Sequence, residues 1–182
     1  MLLIVDNGSE FITEISNAIS NNNTEYTIIP SQNVTKTDLS RFDSFVLSGR
    51  QRNNQKMNAI NSEIINHAVA EKKPLLGICY GAEILALTLG GTIRKLGDII
   101  KGLHSVNIIK ENLLFDKDIK VYQSHSYEIA KLGSQLESFA SSKNCQNEII
   151  KHQRLPIFGT QFHPEMSKDG QLLIESFLKI IH

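Results

Sequence analysis

Four short apolar runs, at positions 2–5, 27–29, 45–47 and 75–78, alternate with stretches of helical periodicity, and this alternation restricts the fold more than any other feature of the chain. The first run stops at Asp6-Asn7-Gly8-Ser9, as a strand buried on both faces stops at its turn. Phe11, Ile12, Ile15, Ala18 and Ile19 then recur at three- and four-residue spacing and predict an amphipathic helix, ended by the asparagines at 21–23. Strands are expected at 27–29, before Pro30, and at 45–47, before Ser48-Gly49. Ile60, Ile64, Ile65, Ala68 and Val69 share one side of a second helix that stops at Glu71-Lys72-Lys73, with Pro74 just beyond it. Residues 75–78 form a fourth strand, and residues 82–89 a helix closed by Gly90-Gly91. Strand, helix, strand and helix in this order imply parallel strands joined by crossover helices.

From position 92 the pattern changes to short β-prone pieces, at 105–109, 119–122, 137–140, 148–150 and 157–160, which suggest an added, largely antiparallel region. Residues 51–61 read as a polar loop running into the second helix, and a last helix carries Leu172, Leu173, Phe177 and Ile181. The expected fold is therefore α/β: an open, mostly parallel sheet flanked by helices, with a small antiparallel addition.

At 182 residues and 41% hydrophobic side chains, the chain suits one well-buried core, so a single domain over 1–182 is expected. Its 19 basic residues balance 19 acidic ones, and no Lys/Arg run marks a surface for nucleic acid or an anionic membrane. The N-terminal apolar run lacks the basic flank and cleavage site of a signal peptide, and no stretch approaches the ~20 apolar residues of a membrane span. Two cysteines in unlike contexts, Cys79 and Cys145, argue against a disulfide framework and for a reducing cytoplasm. The histidines and cysteines lack metal-ligand spacing, so no metal is expected.

The chemistry concentrates in two segments. In Gly77-Ile78-Cys79-Tyr80-Gly81, a cysteine stands at the junction of a buried strand and a helix. The flanking glycines let the backbone turn sharply and lift the side chain above the sheet, as in a nucleophile elbow. The helix N-terminus favours the nucleophilic thiolate, and the Tyr80 N–H is aimed to help hold an oxyanion. The competing reading of Cys79 is an ordinary core thiol. A base is needed next, and of six histidines His67, His104, His152 and His182 fit surface or packing positions. His163 instead follows the strand at 157–160 and precedes Pro164-Glu165. Catalytic groups in open α/β sheets gather at the carboxyl ends of strands, so His163 can meet Cys79 there while Glu165 fixes its tautomer. The alternative for His163 is a capping role.

Gly77-Ile78-Cys79-Tyr80-Gly81 and Gln161-Phe162-His163-Pro164-Glu165 resemble the two signature motifs of the class I glutamine amidotransferases, whose fold is flavodoxin-like. The resemblance implies that Cys79 attacks the side-chain amide of glutamine, that His163 serves as base and then acid, and that Glu165 orients His163. It also makes Ser48-Gly49-Arg50 the second oxyanion loop. Ser124, His125 and Ser126 would lie against the α-amino and α-carboxylate groups of glutamine, with His125 not a second base. Residues 121–129 and 139–148, with Asp6-Asn7-Gly8-Ser9, are more similar to the amidotransferase part of GMP synthase than to anthranilate or aminodeoxychorismate synthase, whose pattern is Arg-Tyr-His-Ser where this chain has Gln123-Ser124-His125-Ser126. Cys145 would then be a packed thiol. The chain has no Walker loop or pyrophosphatase loop, so no cofactor is expected on it, and ATP and Mg belong on a separate GMP synthase subunit that receives the ammonia. Low activity is expected until that partner docks.

Two segments depart from the family pattern: Arg50-Gln51 stands where Gly-Pro is usual, and Glu83 where Gln is usual. A left-handed backbone at Arg50 would cost about 1 kcal/mol or more, and a buried Glu83 carboxylate must be protonated, hydrated or paired. Pairing of Arg50 with Glu83 is one expectation; the other leaves Arg50 solvated and Glu83 facing water. Beyond these stand a degenerate glutamine-binding or regulatory chain, and a cysteine-elbow hydrolase that does not use glutamine.

Overall fold

A computed structural model describes residues 1–111, 114 and 117–181; His182 lies outside the described residues. The elements in chain order are β1 (Leu2–Asp6), α1 (Ile12–Ser20), β2 (Tyr26–Pro30), the single turn α2 (Ser31–Val34), β3 (Ser44–Leu47), α3 (Gln55–Ala70), β4 (Leu75–Ile78) and α4 (Tyr80–Thr88). There follow β5 (Thr92–Ile108), β6 (Ile119–Lys131), β7 (Leu136–Ser141), β8 (Ile149–His152), β9 (Ile157–Thr160) and α5 (Lys168–Ile180). The strands make one nine-stranded sheet in the order β2-β1-β3-β4-β9-β8-β7-β5-β6. β2, β1, β3, β4 and β9 run parallel, and β8, β7, β5 and β6 continue the sheet in antiparallel pairing. The α/β class expected from the alternation of apolar runs and helices is the fold observed.

The inner parallel strands β1, β3, β4 and β9 are buried on both faces because each face has its own helical layer, whereas β2 at the edge is partly exposed. Leu2, Ile4, Val46, Leu76 and Phe158 pack with Ile15, Ile19, Leu173 and Phe177 of α1 and α5. Leu3, Val5, Phe45, Leu47 and Leu75 face the other way, onto Ile64, Ile65 and Ala68 of α3 and Leu85 of α4. The period-two alternation of a strand thus sorts neighbouring side chains into two cores.

Two boundaries differ from the sequence expectation. α3 begins at Gln55, inside the stretch read as a loop, because Asn54 caps it: its side chain accepts from the backbone N–H groups of Lys56 and Met57. α4 begins at Tyr80, directly after the cysteine. The antiparallel region is also longer than its apolar pieces suggest, with β5 spanning 17 residues and β6 13. Residues 92–104 carry charges and glycines and show no clean alternation, yet they pair with β6 through the backbone, with a register shift between Lys95 and Ile100. This extension curls over the parallel sheet. The backbone N–H of His163 donates to the carbonyl of Tyr122 at 2.8 Å, so β6 comes down beside the segment that leaves β9.

Candidate active site

β4 and β9 are neighbours in parallel register, which brings the segments beyond their carboxyl ends, residues 79 and 161–165, to one place. Cys79 follows β4 with φ 51° and ψ −104°, a left-handed conformation unusual for a non-glycine residue. Its backbone is held on both sides: its N–H donates to Thr160 at 2.7 Å, and its carbonyl accepts from Ala82 and Glu83 at 3.0 Å each. The flanking glycines are required by space. A Cβ on Gly77 would lie 2.5 Å from the Gly81 carbonyl, and one on Gly81 would lie 2.3 Å from the Leu47 carbonyl oxygen. The turn therefore closes only with hydrogen in both places, and it presents Cys79 at the N-terminus of α4.

His163 and Glu165 form the other half. Glu165 lies in a short 3₁₀ turn, Pro164–Met166, which returns its carboxyl group to Nδ1 of His163 at 2.8 Å. Nδ1 is thereby the protonated nitrogen that donates to the carboxylate, and Nε2 is left for the sulfur. Phe11 stands edge-on to the imidazole at a ring separation of 4.8 Å and limits its movement. Both His163 and Glu165 are buried. Burial alone would push the His163 pKa down, but hydrogen bonds with the Cys79 sulfur and the Glu165 carboxylate outweigh it and raise the value to about 11. The imidazole is thus hydrogen-bonded to Glu165 and coupled to Cys79.

The loop after β3 supplies the third wall. Ser48 is locked below it: its Oγ accepts from Asn7 N–H at 2.9 Å and its carbonyl from Asn7 Nδ2 at 3.1 Å, while Asn61 of α3 pairs with the same asparagine. Gly49 then passes against Cys79 and His163. Arg50 is not among the residues with positive φ, so the backbone cost expected there is absent.

Arg50 does not pair with Glu83. Its guanidinium lies over the Tyr80 ring, 4.0 Å from the centroid, and donates to Asn53 Oδ1 at 2.8 Å and Asn58 Oδ1 at 3.1 Å. Tyr80 donates its hydroxyl to the same Asn58 oxygen at 2.8 Å, so ring, amide and guanidinium form one unit. Nor does Glu83 face water: it is 4% exposed and accepts from Gln161 Nε2 at 3.2 Å. Gln161 is oriented in turn by Ile129, whose N–H donates to its Oε1 at 3.1 Å. Burial, the largest influence, pushes the Glu83 carboxyl above the ordinary range, and the Gln161 hydrogen bond and the charges of Arg50 and His163 only partly offset it.

A cavity of about 280 Å³ opens beside Cys79 and is lined by Arg50, Tyr80, Glu83, Ser124, His125 and Ser126 among others. Of the residues singled out for catalysis or binding, Arg50, Cys79, Tyr80, Glu83, Ser124, His125 and Ser126 line this cavity, Gly49 and His163 stand together beside Cys79, and Glu165 is bonded to His163. The Ser124 carbonyl lies 4.0 Å from the Cys79 sulfur. The remaining described histidines have other work: His67 packs edge-on to Phe45, His104 Nε2 lies 3.2 Å from the Lys101 carbonyl oxygen, and His152 accepts from the backbone N–H groups of Arg154 and Leu155 at 3.1 Å each. Cys145 is a buried free thiol whose pKa is raised, chiefly by burial. Sequence reasoning missed Phe11, which looked like one more apolar helix residue, and Asn58, which fell in the supposed loop. Gln161 lay inside a quoted motif without a role.

Comparison with known proteins agrees with this geometry. The family described as glutamine amidotransferase class-I matches residues 3–180. One subunit of the glutamine-hydrolysing GMP synthase of Pyrococcus furiosus is 31% identical over 99% of this chain and 98% of its own length, and its counterpart from Methanocaldococcus jannaschii is 30% identical over 99% and 97%. The solved structure of a GMP synthase subunit from Thermoplasma acidophilum superposes with a TM-score of 0.86 at 27% identity, covering 99% of this chain and 92% of that one. Since the matching family spans nearly the whole chain, and the elbow cysteine meets its histidine where the two motifs require, the chain belongs to the class I glutamine amidotransferases.

Proposed function

We propose that the chain hydrolyses glutamine with Cys79, His163 and Glu165 and passes the ammonia to a separate synthetase subunit that aminates XMP to GMP. The observation that carries this reading is that Cys79 and the His163 imidazole, itself hydrogen-bonded to Glu165, both stand against Gly49 beyond the paired ends of β4 and β9. In the first step the sulfur attacks the side-chain carbonyl carbon of glutamine, and the C–N bond breaks. His163 gives its Nε2 proton to the departing NH2 group, which leaves as ammonia. The oxyanion formed on the way faces the N–H of Tyr80, in the first turn of α4 where an amide has no intrahelical acceptor, and the loop at Gly49 and Arg50. Water then adds to the γ-glutamyl thioester as His163 takes its proton, and glutamate leaves with the thiol restored. Ser124, His125 and Ser126 form the wall for the α-amino and α-carboxylate groups, with Glu83 and Gln161 beyond the elbow.

The choice of acceptor is supported by the relatives, which are named as a subunit of glutamine-hydrolysing GMP synthase and match this chain over nearly their whole length. ATP and Mg chemistry belongs, in this reading, to the partner, and the setting is the cytoplasm. An assembled Cys-His-Glu constellation speaks against a degenerate chain. Treatment with a glutamine-like chloroketone tests the reading: mass spectrometry should find one adduct on Cys79, absent in Cys79→Ala, and glutamate release should vanish in the same variant. A chain that is neither labelled nor active, alone or with its synthetase, would refute it.

A further inference from the structure

From the cavity wall inward, three side chains that touch no reacting atom form a buried row: His125 and Gln123 on β6, and Glu148 just before β8. His125 Nδ1 lies 2.6 Å from the Tyr127 carbonyl oxygen, and its Nε2 lies 2.9 Å from one end of the Gln123 amide. The other end of that amide lies 2.9 and 3.0 Å from the two carboxyl oxygens of Glu148. Gln123 and Glu148 are each 1% exposed and His125 is 5% exposed. Among the described residues, no lysine or arginine forms an ion pair with Glu148.

The chemistry of these groups leaves the row two arrangements. A carbonyl only accepts, so Nδ1 of His125 carries hydrogen in both. An ionised Glu148 also only accepts, which turns the amide NH2 toward it and the amide oxygen toward Nε2; Nε2 must then donate, and the ring is an imidazolium. A neutral ring, with a lone pair on Nε2, needs the NH2 facing it. The amide oxygen then faces Glu148, which must be the acid in order to donate. A half-turn of the amide exchanges its oxygen and nitrogen within the same envelope, so one set of heavy-atom positions serves both. A carboxylate with a neutral ring sets two acceptors face to face, and the acid with an imidazolium sets its O–H against the amide NH2, which lies within 3.0 Å of both carboxyl oxygens.

We infer that Gln123 locks the charge of His125 to that of Glu148, so that the two are ionised together or neutral together, and that the carboxylate of bound glutamine drives the row into its ionised state. This rests on glutamine being the ligand of the cavity. His125 lines that cavity between Ser124 and Ser126, so a ligand carboxylate on this wall adds negative charge next to the ring. The proton that His125 gains at Nε2 equals the one the Glu148 carboxyl loses, and no net proton is taken up. Burial by itself holds the empty row neutral, since it pushes the imidazole down and the carboxyl up. The other facing groups are few. His163 and His104 oppose a charge on His125 and Glu128 favours one. At Glu148, the Ser142 hydroxyl and His104 favour the carboxylate, and Glu128, itself paired with Arg94, opposes it. The nearby Cys145 thiol stays neutral.

Ring ¹⁵N NMR of the histidines in a Cys79→Ala background, which holds glutamine without turning it over, tests the lock. Without ligand, His125 should show a lone pair on Nε2; saturating glutamine should convert it to the imidazolium. Adding Glu148→Gln, which keeps the volume but cannot release a proton, should hold the ring neutral with glutamine bound and weaken glutamine binding about tenfold, the loss of one charge-assisted contact. Gln123→Leu should do the same, and if it fails to fold, Glu148→Gln decides alone. In the active enzyme Glu148→Gln should raise KM and leave kcat within about twofold, since no reacting atom touches the row. A ring that stays neutral when glutamine binds, or that ionises equally in Glu148→Gln, overturns the inference while leaving the glutaminase reading intact. Glutamine that shifts no resonance at all overturns the glutaminase reading and this inference with it.

Discussion

A Cβ placed on Gly49 would stand 2.9 Å from Cε1 of His163 and 3.8 Å from Cβ of Cys79, so the loop after β3 touches both members of the proposed catalytic pair. The contact is one of space, because Gly49 is not among the residues with positive φ. Gly49→Ala is therefore expected to fold normally and to displace His163 or the loop by a few tenths of an ångström. A misplacement of that kind costs roughly tenfold or more in turnover. Steady-state glutaminase assays beside a thermal melt would check it; unchanged kcat would show that the loop yields freely.

How much of this could be read beforehand follows the range of the interactions. The β1-β3-β4-β9 core and its helices were legible because each apolar run reports its own burial, and the Cys79 and His163 segments because strand ends in a parallel sheet converge. Arg50 was not legible: two acceptors and an aromatic face compete for its guanidinium, and the winner depends on where α3 delivers Asn58 and where the elbow delivers Tyr80. Neither position is encoded near residue 50. The long β5 escaped for a different reason. Its pairing with β6 comes from the backbone, and charges and glycines such as Lys95, Gly97, Asp98 and Gly102 erase the alternation by which a strand is recognised.

The raised pKa of His163 gives a spectroscopic prediction. Its two upward influences come from Cys79 and Glu165, working against burial. In the wild-type chain the imidazole should remain protonated through neutral pH, with its titration near pH 11. Cys79→Ala removes one upward influence and leaves the burial, so the midpoint should fall. Histidine ¹³C or ¹⁵N titration measures this directly, and a midpoint unmoved by the substitution would mean that sulfur and imidazole are not coupled.

The stacking of Arg50 on Tyr80, in place of the expected ion pair, can be tested by double-mutant cycles on stability. Arg50→Ala with Tyr80→Leu should show a coupling of about 0.5–1 kcal/mol, the usual size for a guanidinium over an aromatic face. Arg50→Ala with Glu83→Gln should be additive within about 0.5 kcal/mol, because no hydrogen bond or ion pair joins those two side chains. Reversed magnitudes would restore the ion pair as the dominant contact of Arg50.

Glu83 sets a pH dependence whose sign is fixed by burial. Its carboxyl titrates above the usual 4.5 in the folded chain. Between the unfolded value and the raised folded value, the folded state therefore binds more protons than the unfolded one, and its stability falls as pH rises through that window. Below pH 4.5 the carboxyl is neutral in both states, and the penalty disappears. Glu83→Gln removes the ionisable group and keeps an oxygen to accept from Gln161. It should raise Tm near pH 8, and the gain should shrink toward pH 4. Melting curves of both proteins over that range, corrected by their common baseline, give the difference; a gain that grew toward acid would mean that Glu83 is stabilised as a carboxylate by charges that outweigh its burial.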